Sequence, residues 1–167
     1  MTERQKFDLI AEHDKVEIRK YHPCVMADVV VTADYESASS LGFRPLVTYI
    51  SQNNIAMTAP VVQEEKEGNT WTVSFVMPAG MTLSDLPTPR NAQVVLRNTG
   101  EELAAALSFS GFATKSKITD MENQLRSILA KEKLIPIGPV RIARFDPPWK
   151  PGFLRHNEVI LPIKATD

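Results

Sequence analysis

The chain has 167 residues, 43% hydrophobic and 23% charged, with 19 basic against 20 acidic side chains and a formal net charge of −1. That length suits one domain, residues 1–167, able to bury a core without staples. The even balance of charge gives no nucleic-acid footprint, and the single cysteine, Cys24, excludes an intrachain disulfide and a multi-cysteine zinc site. No apolar run approaches the ~20 residues of a membrane span, and the charged opening lacks a signal-peptide core, so a cytoplasmic protein is expected.

Alternation of apolar and polar residues at period two predicts strands over 7–11, 16–21 and 25–32. A helix follows over 37–51, with Asp34 as its cap, Leu46, Val47 and Ile50 as its apolar stripe and Phe43 one turn back. Pro45 removes a helical hydrogen bond there, which predicts a kink or a later start. Strands over 58–63 and 71–77 lead to a proline-bearing connector, 78–90, that reads as surface. Strands over 92–97 and 103–110 come next, then a helix over 116–133 with Ile118, Met121, Leu125, Ile128 and Leu129 on one face. Thr119 and Glu122 have capping-box spacing, which would start that helix later. Strands over 140–145 and 158–163 complete the series. The order is strand-strand-helix-strand-strand, twice, over about 14–78 and 92–163. An α+β fold is expected, its antiparallel sheet curled toward a barrel with both helices outside. Such a body offers a concave apolar cleft between helix and sheet.

Two stretches are more specific: Ile55-Ala56-Met57-Thr58-Ala59-Pro60-Val61 and Arg144-Phe145-Asp146-Pro147-Pro148-Trp149. Each reads as a strand stopped at proline. Other pieces lie around them in order: Val16-Glu17-Ile18-Arg19-Lys20-Tyr21, Gly42-Phe43 with Leu46, Tyr49, Ile50 and Asn53, Val73 to Pro78, and Phe109-Ser110-Gly111-Phe112. Together, over roughly 14–163, the chain resembles the SOUL/haem-binding-protein family. The resemblance implies a distorted eight-stranded antiparallel β-barrel, built from a duplicated ββαββ unit and flanked by two helices. It also implies a soluble protein that binds haem or a related tetrapyrrole reversibly and without covalent attachment, for buffering, transfer or sensing.

A haem site needs an apolar slot, a cationic rim for two propionates and often an axial ligand. Phe43, Leu46, Val47, Ile50, Met57, Val76 and Met77 supply the slot in kind, though a stripe at helical spacing equally fills a core. For the rim, the resemblance implies cations from the first helix and from the Asp-Pro-Pro segment. Lys150 matches the second position; Arg44 is the cation of the first helix, and Thr48 stands where a basic residue is expected. Some family members carry a histidine just before the strand tyrosine, a position held here by Lys20. His22, two residues on, returns to the same strand face and is the candidate axial metal ligand.

The chain has no Gly-rich phosphate loop, Gly-x-Ser-x-Gly elbow or His-Glu-x-x-His motif, so it is expected not to be an enzyme. Glu17, Tyr49 and Glu158 are the acid/base candidates for the opposite reading. A further alternative is an effector-binding or protein-interaction domain for a non-haem hydrophobic small molecule. Related effector domains of similar duplicated architecture include small-molecule hydrolases.

Overall fold

The computed structural model describes residues 2–147 and 149–165, so Pro148 of the Asp-Pro-Pro-Trp segment lies outside the described residues. In chain order the elements are β1 (Glu3–Arg4), β2 (Phe7–His13), β3 (Val16–Tyr21), β4 (Cys24–Thr32), α1 (Tyr35–Gln52), β5 (Thr58–Ala59) and β6 (Val61–Glu67). Then follow β7 (Thr70–Val76), β8 (Val95–Thr99), β9 (Glu102–Ser110), α2 (Lys115–Lys131), β10 (Arg141–Arg144) and β11 (His156–Pro162). The class is α+β, as expected. The chain divides into two units, residues 2–6 with 23–100 and residues 7–22 with 101–165.

In the first unit, β6, β7, β4 and β8 form an antiparallel sheet in that order, and β1 pairs with β5 in parallel. The register Ala27↔Phe75 and Val29↔Val73 puts Val25, Ala27, Val29, Val73 and Phe75 on one face, where they bury Leu46, Tyr49 and Ile50 of α1. Gly42 sets how close the helix comes: a Cβ there would lie 2.5 Å from that of Val73. The Asp34 side chain accepts from the Ser37 N–H at 2.8 Å, so the helix is capped where the sequence implies. It runs through Pro45 without starting later. The carbonyl deprived of a donor is that of Leu41, an exposed residue, where water can take its place. The strand expected over 58–63 is divided at Pro60, which follows a cis peptide bond. Thr58 and Ala59 pair instead with Glu3 and Arg4, a contact that short-range alternation cannot reveal.

In the second unit the antiparallel order is β2, β3, β9, β11 and β10. Val16, Ile18, Ala105, Leu107, Val159 and Leu161 are buried on one face, against which α2 lays Ile118, Met121, Leu125 and Leu129. Tyr21, Ala104, Ala106, Ala143 and Ile160 cluster on the other. The α2 cap is Thr114, accepting from the Lys117 N–H at 3.2 Å, and not Thr119, whose hydroxyl donates back to the Lys115 carbonyl. Glu122 pairs with Arg126 one turn on instead of capping.

Two expectations change. The described residues hold eleven strands, where alternation predicts nine and the resemblance implies eight. And β3, read as the opening of a repeat over 14–78, pairs with β2 and β9 and so lies in the second unit. Sequence order alone cannot show that a strand joins a sheet completed some 80 residues later.

Candidate functional site

Around α1 the slot candidates divide by burial. Leu46, Ile50, Val76 and Met77 are buried, the first, second and fourth within the core cluster of the first unit. Val47 and Met57 are half-buried and pack on that cluster together with Ile55 and Met81. Phe43, 37% exposed, sets its ring edge-on to Phe75 at 5.3 Å between centroids. Arg44 and Thr48 are exposed on the same helix. The first unit thus presents a rim of half-exposed aromatic, aliphatic and thioether groups beside one guanidinium. Its residues include no histidine, since His13, His22 and His156 all belong to the second unit.

Tyr49, an acid/base candidate, is occupied structurally. Its hydroxyl donates to the Pro87 carbonyl at 2.7 Å, and its own carbonyl accepts from the Asn53 amide at 2.8 Å. Burial pushes the phenol up from its ordinary value, so it is a poor proton donor at neutral pH. The tyrosine instead ties the connector to α1, and Leu86 beside that tie is buried in the core. The connector is therefore not simply surface.

The remaining site candidates lie in the second unit. Lys150 Nζ is 2.7 Å from Asp146 Oδ1, and Asp146 Oδ2 accepts from the His156 N–H. Burial alone would raise the Asp146 carboxyl, but the His156 N–H and Lys150 hold it below the usual range. His22 is exposed, with Nε2 2.9 Å from Asp8 Oδ1, and Lys20 lies 4.0 Å from Glu101. Among the described residues, no group of three His, Cys, Asp or Glu side chains is placed to hold a metal ion. Cys24 is half-buried, its Sγ 3.3 Å from Thr99 Oγ1.

The sequence reading missed the main polar feature of the second unit. Arg19, 4% exposed, meets Glu158, 2% exposed, in a bidentate pair: Nη1 to Oε1 at 2.6 Å and Nη2 to Oε2 at 2.8 Å. Arg19 also holds Glu17 at 2.5 Å and donates to the Tyr21 hydroxyl at 2.8 Å. His156 Nε2 lies 2.9 Å from Glu158 Oε2, and Ser108 donates to the same oxygen at 3.3 Å. Burial by itself would raise the Glu158 carboxyl; the hydrogen bonds and charges of Arg19 and His156 reverse that and hold it at about 2. Burial likewise opposes the charge of Arg19, but Glu158 and Tyr21 raise its pKa above the ordinary arginine value. An always-ionised carboxylate with both oxygens engaged is a structural anchor, not a general base. Two of the acid/base candidates, Glu17 and Glu158, thus meet on one guanidinium. A signal did exist: Glu17, Arg19 and Tyr21 alternate on one strand face between buried Val16 and Ile18.

Each unit is an antiparallel sheet backed by one helix, an α+β arrangement, and the first carries an apolar rim beside its helix. The chain belongs to the SOUL heme-binding protein family, whose model matches residues 2–162. No curated protein matches it. Among solved structures it is similar to the EcmrR C-terminal domain, with a TM-score of 0.72 at 10% identity, covering 90% of this chain and 98% of that one. It is also similar to EcmrR in a cryo-EM complex with DNA, with a TM-score of 0.71 at 11% identity, covering 90% of this chain but 57% of that one. A hydrolase from Listeria innocua gives a TM-score of 0.64 at 14% identity, covering 92% and 94% of the two chains. At these identities the likeness is one of fold. No helix of the described residues is long and apolar enough to cross a membrane.

Proposed function

We propose that this protein binds haem or a related tetrapyrrole reversibly, at the apolar rim beside α1, and serves in buffering, transfer or sensing rather than catalysis. Membership of a heme-binding family across residues 2–162 carries the reading. The chemistry of the rim fits such a ligand: Phe43, Val47 and Met57 offer apolar contact to a macrocycle, and Arg44 offers an exposed cation to a propionate. Leu46, Ile50 and Met77 support the rim from beneath. Lys150, committed to Asp146 in the second unit, is left out of this site. Bound haem would supply the redox-active iron; the residues of this chain bind it, orient it and neutralise its carboxylates.

A haemin titration followed by Soret absorbance tests the reading. Saturation at one equivalent, weakened by Phe43→Ala and by Arg44→Gln, supports it. A non-saturating curve that is the same in every variant refutes it. A second reading, an effector-binding domain for another hydrophobic molecule, is favoured by Thr48 and Lys20 at the two positions where the resemblance implies a basic residue and a histidine. It predicts equal affinity for tetrapyrroles and for other planar aromatics; a clear preference for tetrapyrroles eliminates it.

A further inference from the structure

Within the second unit, two loops leave large apolar side chains in water. Trp149 is 82% exposed, Phe153 78%, Phe112 61% and Leu154 52%. The loops are joined: the Gly111 N–H donates to the Gly152 carbonyl at 2.9 Å, and the Arg155 guanidinium lies over the Phe112 ring at 4.7 Å. Arg155 Nε donates to the Lys150 carbonyl at 2.8 Å, so the backbone of the second loop is held as well. The Phe112 ring packs close over Gly152, 2.9 Å from where a Cβ would stand. Loops tied together in this way that hold several aromatics outward are not a folding requirement, and exposed apolar patches commonly mark an interaction site.

The charge around this patch is one-sided. Segments 111–117 and 147–155 contain Lys115, Lys117, Lys150 and Arg155 and no acidic residue, in a chain whose formal net charge is −1. Asp146, just outside, is largely buried against Lys150 and the His156 N–H. Trp and Phe side chains exposed to this degree stand proud of the surface instead of lining a groove. That shape suits a fluid partner that closes around each ring better than a rigid protein surface that must present a matching pocket.

We propose that this face docks on an anionic lipid surface, with Trp149, Phe153 and Phe112 entering the headgroup region and Lys115 and Lys117 facing lipid phosphates. Tryptophan prefers the membrane interface, and long cationic side chains lay their stems on apolar surface while keeping their charge at the headgroups. Attraction to a negative leaflet adds to apolar insertion and is screened by salt. The proposal is independent of tetrapyrrole binding and concerns attachment to one leaflet.

The test is co-sedimentation of the haem-free full chain with vesicles of phosphatidylcholine, with and without phosphatidylserine, alongside tryptophan emission. Trp71 is already buried, so a blue shift on vesicle addition reports Trp149. The expected result is binding that requires phosphatidylserine and falls with salt. Trp149→Ala/Phe153→Ala should weaken it by about tenfold or more, and Lys115→Gln/Lys117→Gln should weaken it severalfold. These positions are exposed, and an unchanged thermal midpoint confirms that both variants fold. Absence of vesicle binding, equal binding to both lipid compositions, or equal binding by Trp149→Ala/Phe153→Ala overturns the proposal. A wild-type dimer that this double variant makes monomeric, without vesicle binding, overturns it in favour of a second copy of the chain.

Discussion

Replacing Arg19 by methionine should be among the most damaging single changes in the second unit, and its cost follows from the geometry. The substitution preserves much of the apolar stem but removes both short bonds to Glu158, at 2.6 and 2.8 Å, and the donor to Tyr21. Glu158 is then a buried carboxylate left with His156 and a longer bond from Ser108. Breaking a buried pair from one side costs about 3–5 kcal/mol, because the surviving charge stays desolvated. The depressed pKa of Glu158 points to a comparable size. Glu158 is held at about 2 against an ordinary 4.5, and at ~1.4 kcal/mol per pH unit this is about 3 kcal/mol. Against a total of roughly 5–15 kcal/mol for a domain, such a loss is readable in urea. The sign is fixed by the depressed pKa: this contribution is present above the unfolded value and disappears as pH falls through about 2. The deficit of Arg19→Met relative to wild type should therefore narrow between about pH 5 and about pH 2, where Glu158 can be neutralised. The double variant Arg19→Met/Glu158→Leu should recover most of the loss, since an apolar replacement of a buried pair is often neutral or better. Equilibrium urea curves at matched slopes decide it. A single-variant cost below ~1 kcal/mol, or a double variant no better than the single, refutes the account of a desolvated pair.

Gly42→Ala sets a helix-propensity gain of about 1 kcal/mol against a Cβ placed 2.5 Å from that of Val73, for which overpacking costs of about 1–3 kcal/mol apply. A net loss is expected in urea unfolding, and a net gain would show that α1 can lift off β7 freely. Leu125→Ala, at a fully buried position of α2, should cost about 2–5 kcal/mol by the same assay, and a change below 1 would mean that α2 is not part of the core. Tyr49→Phe loses the bond to the Pro87 carbonyl and should cost about 1 kcal/mol, with faster proteolysis of the connector. In haemin titrations, Phe43→Ala should weaken binding while His22→Ala leaves the Soret position unchanged if Asp8 keeps that ring; a shifted Soret band in His22→Ala would assign axial ligation.

What the sequence made legible follows the range of the forces involved. Helix α1 could be read through its cap because Asp34 acts on a donor three residues away. Strand β3 could be read with its bounds because Val16 and Ile18 alternate with Glu17 and Arg19. The partner of β3 could not, because the pairing with β9 depends on which alanines of Glu102–Ser110 lie opposite Arg19 and Glu17. The same limit hid the ion pair of Arg19 and Glu158, separated by 139 positions, while each looked like an ordinary strand charge. Pro60 was visible as a break, but that Thr58–Ala59 would pair with Glu3–Arg4 was not. Of the candidate site, the residues of α1 were readable as an apolar stripe. Their division into buried and half-exposed depends on Gly42 and Val73, which fix how the helix sits.

That division bears on any search for a binding residue. Leu46 and Met77 are buried in the core, so alanine at either position leaves a cavity costing about 2–5 kcal/mol, and a lost Soret signal would then report unfolding as readily as lost contact. Phe43, Val47 and Met57 keep part of their surface in water, so truncating them perturbs the fold less and a ligand more. The same reasoning separates the cations. Arg19 is fixed by Glu158, Glu17 and Tyr21 and can be spared for no carboxylate from outside, whereas Lys150 holds Asp146 through one bond at a half-exposed position and can exchange it. A family signature thus mixes residues that build the fold with residues able to meet a ligand, and burial together with hydrogen-bond commitment tells them apart.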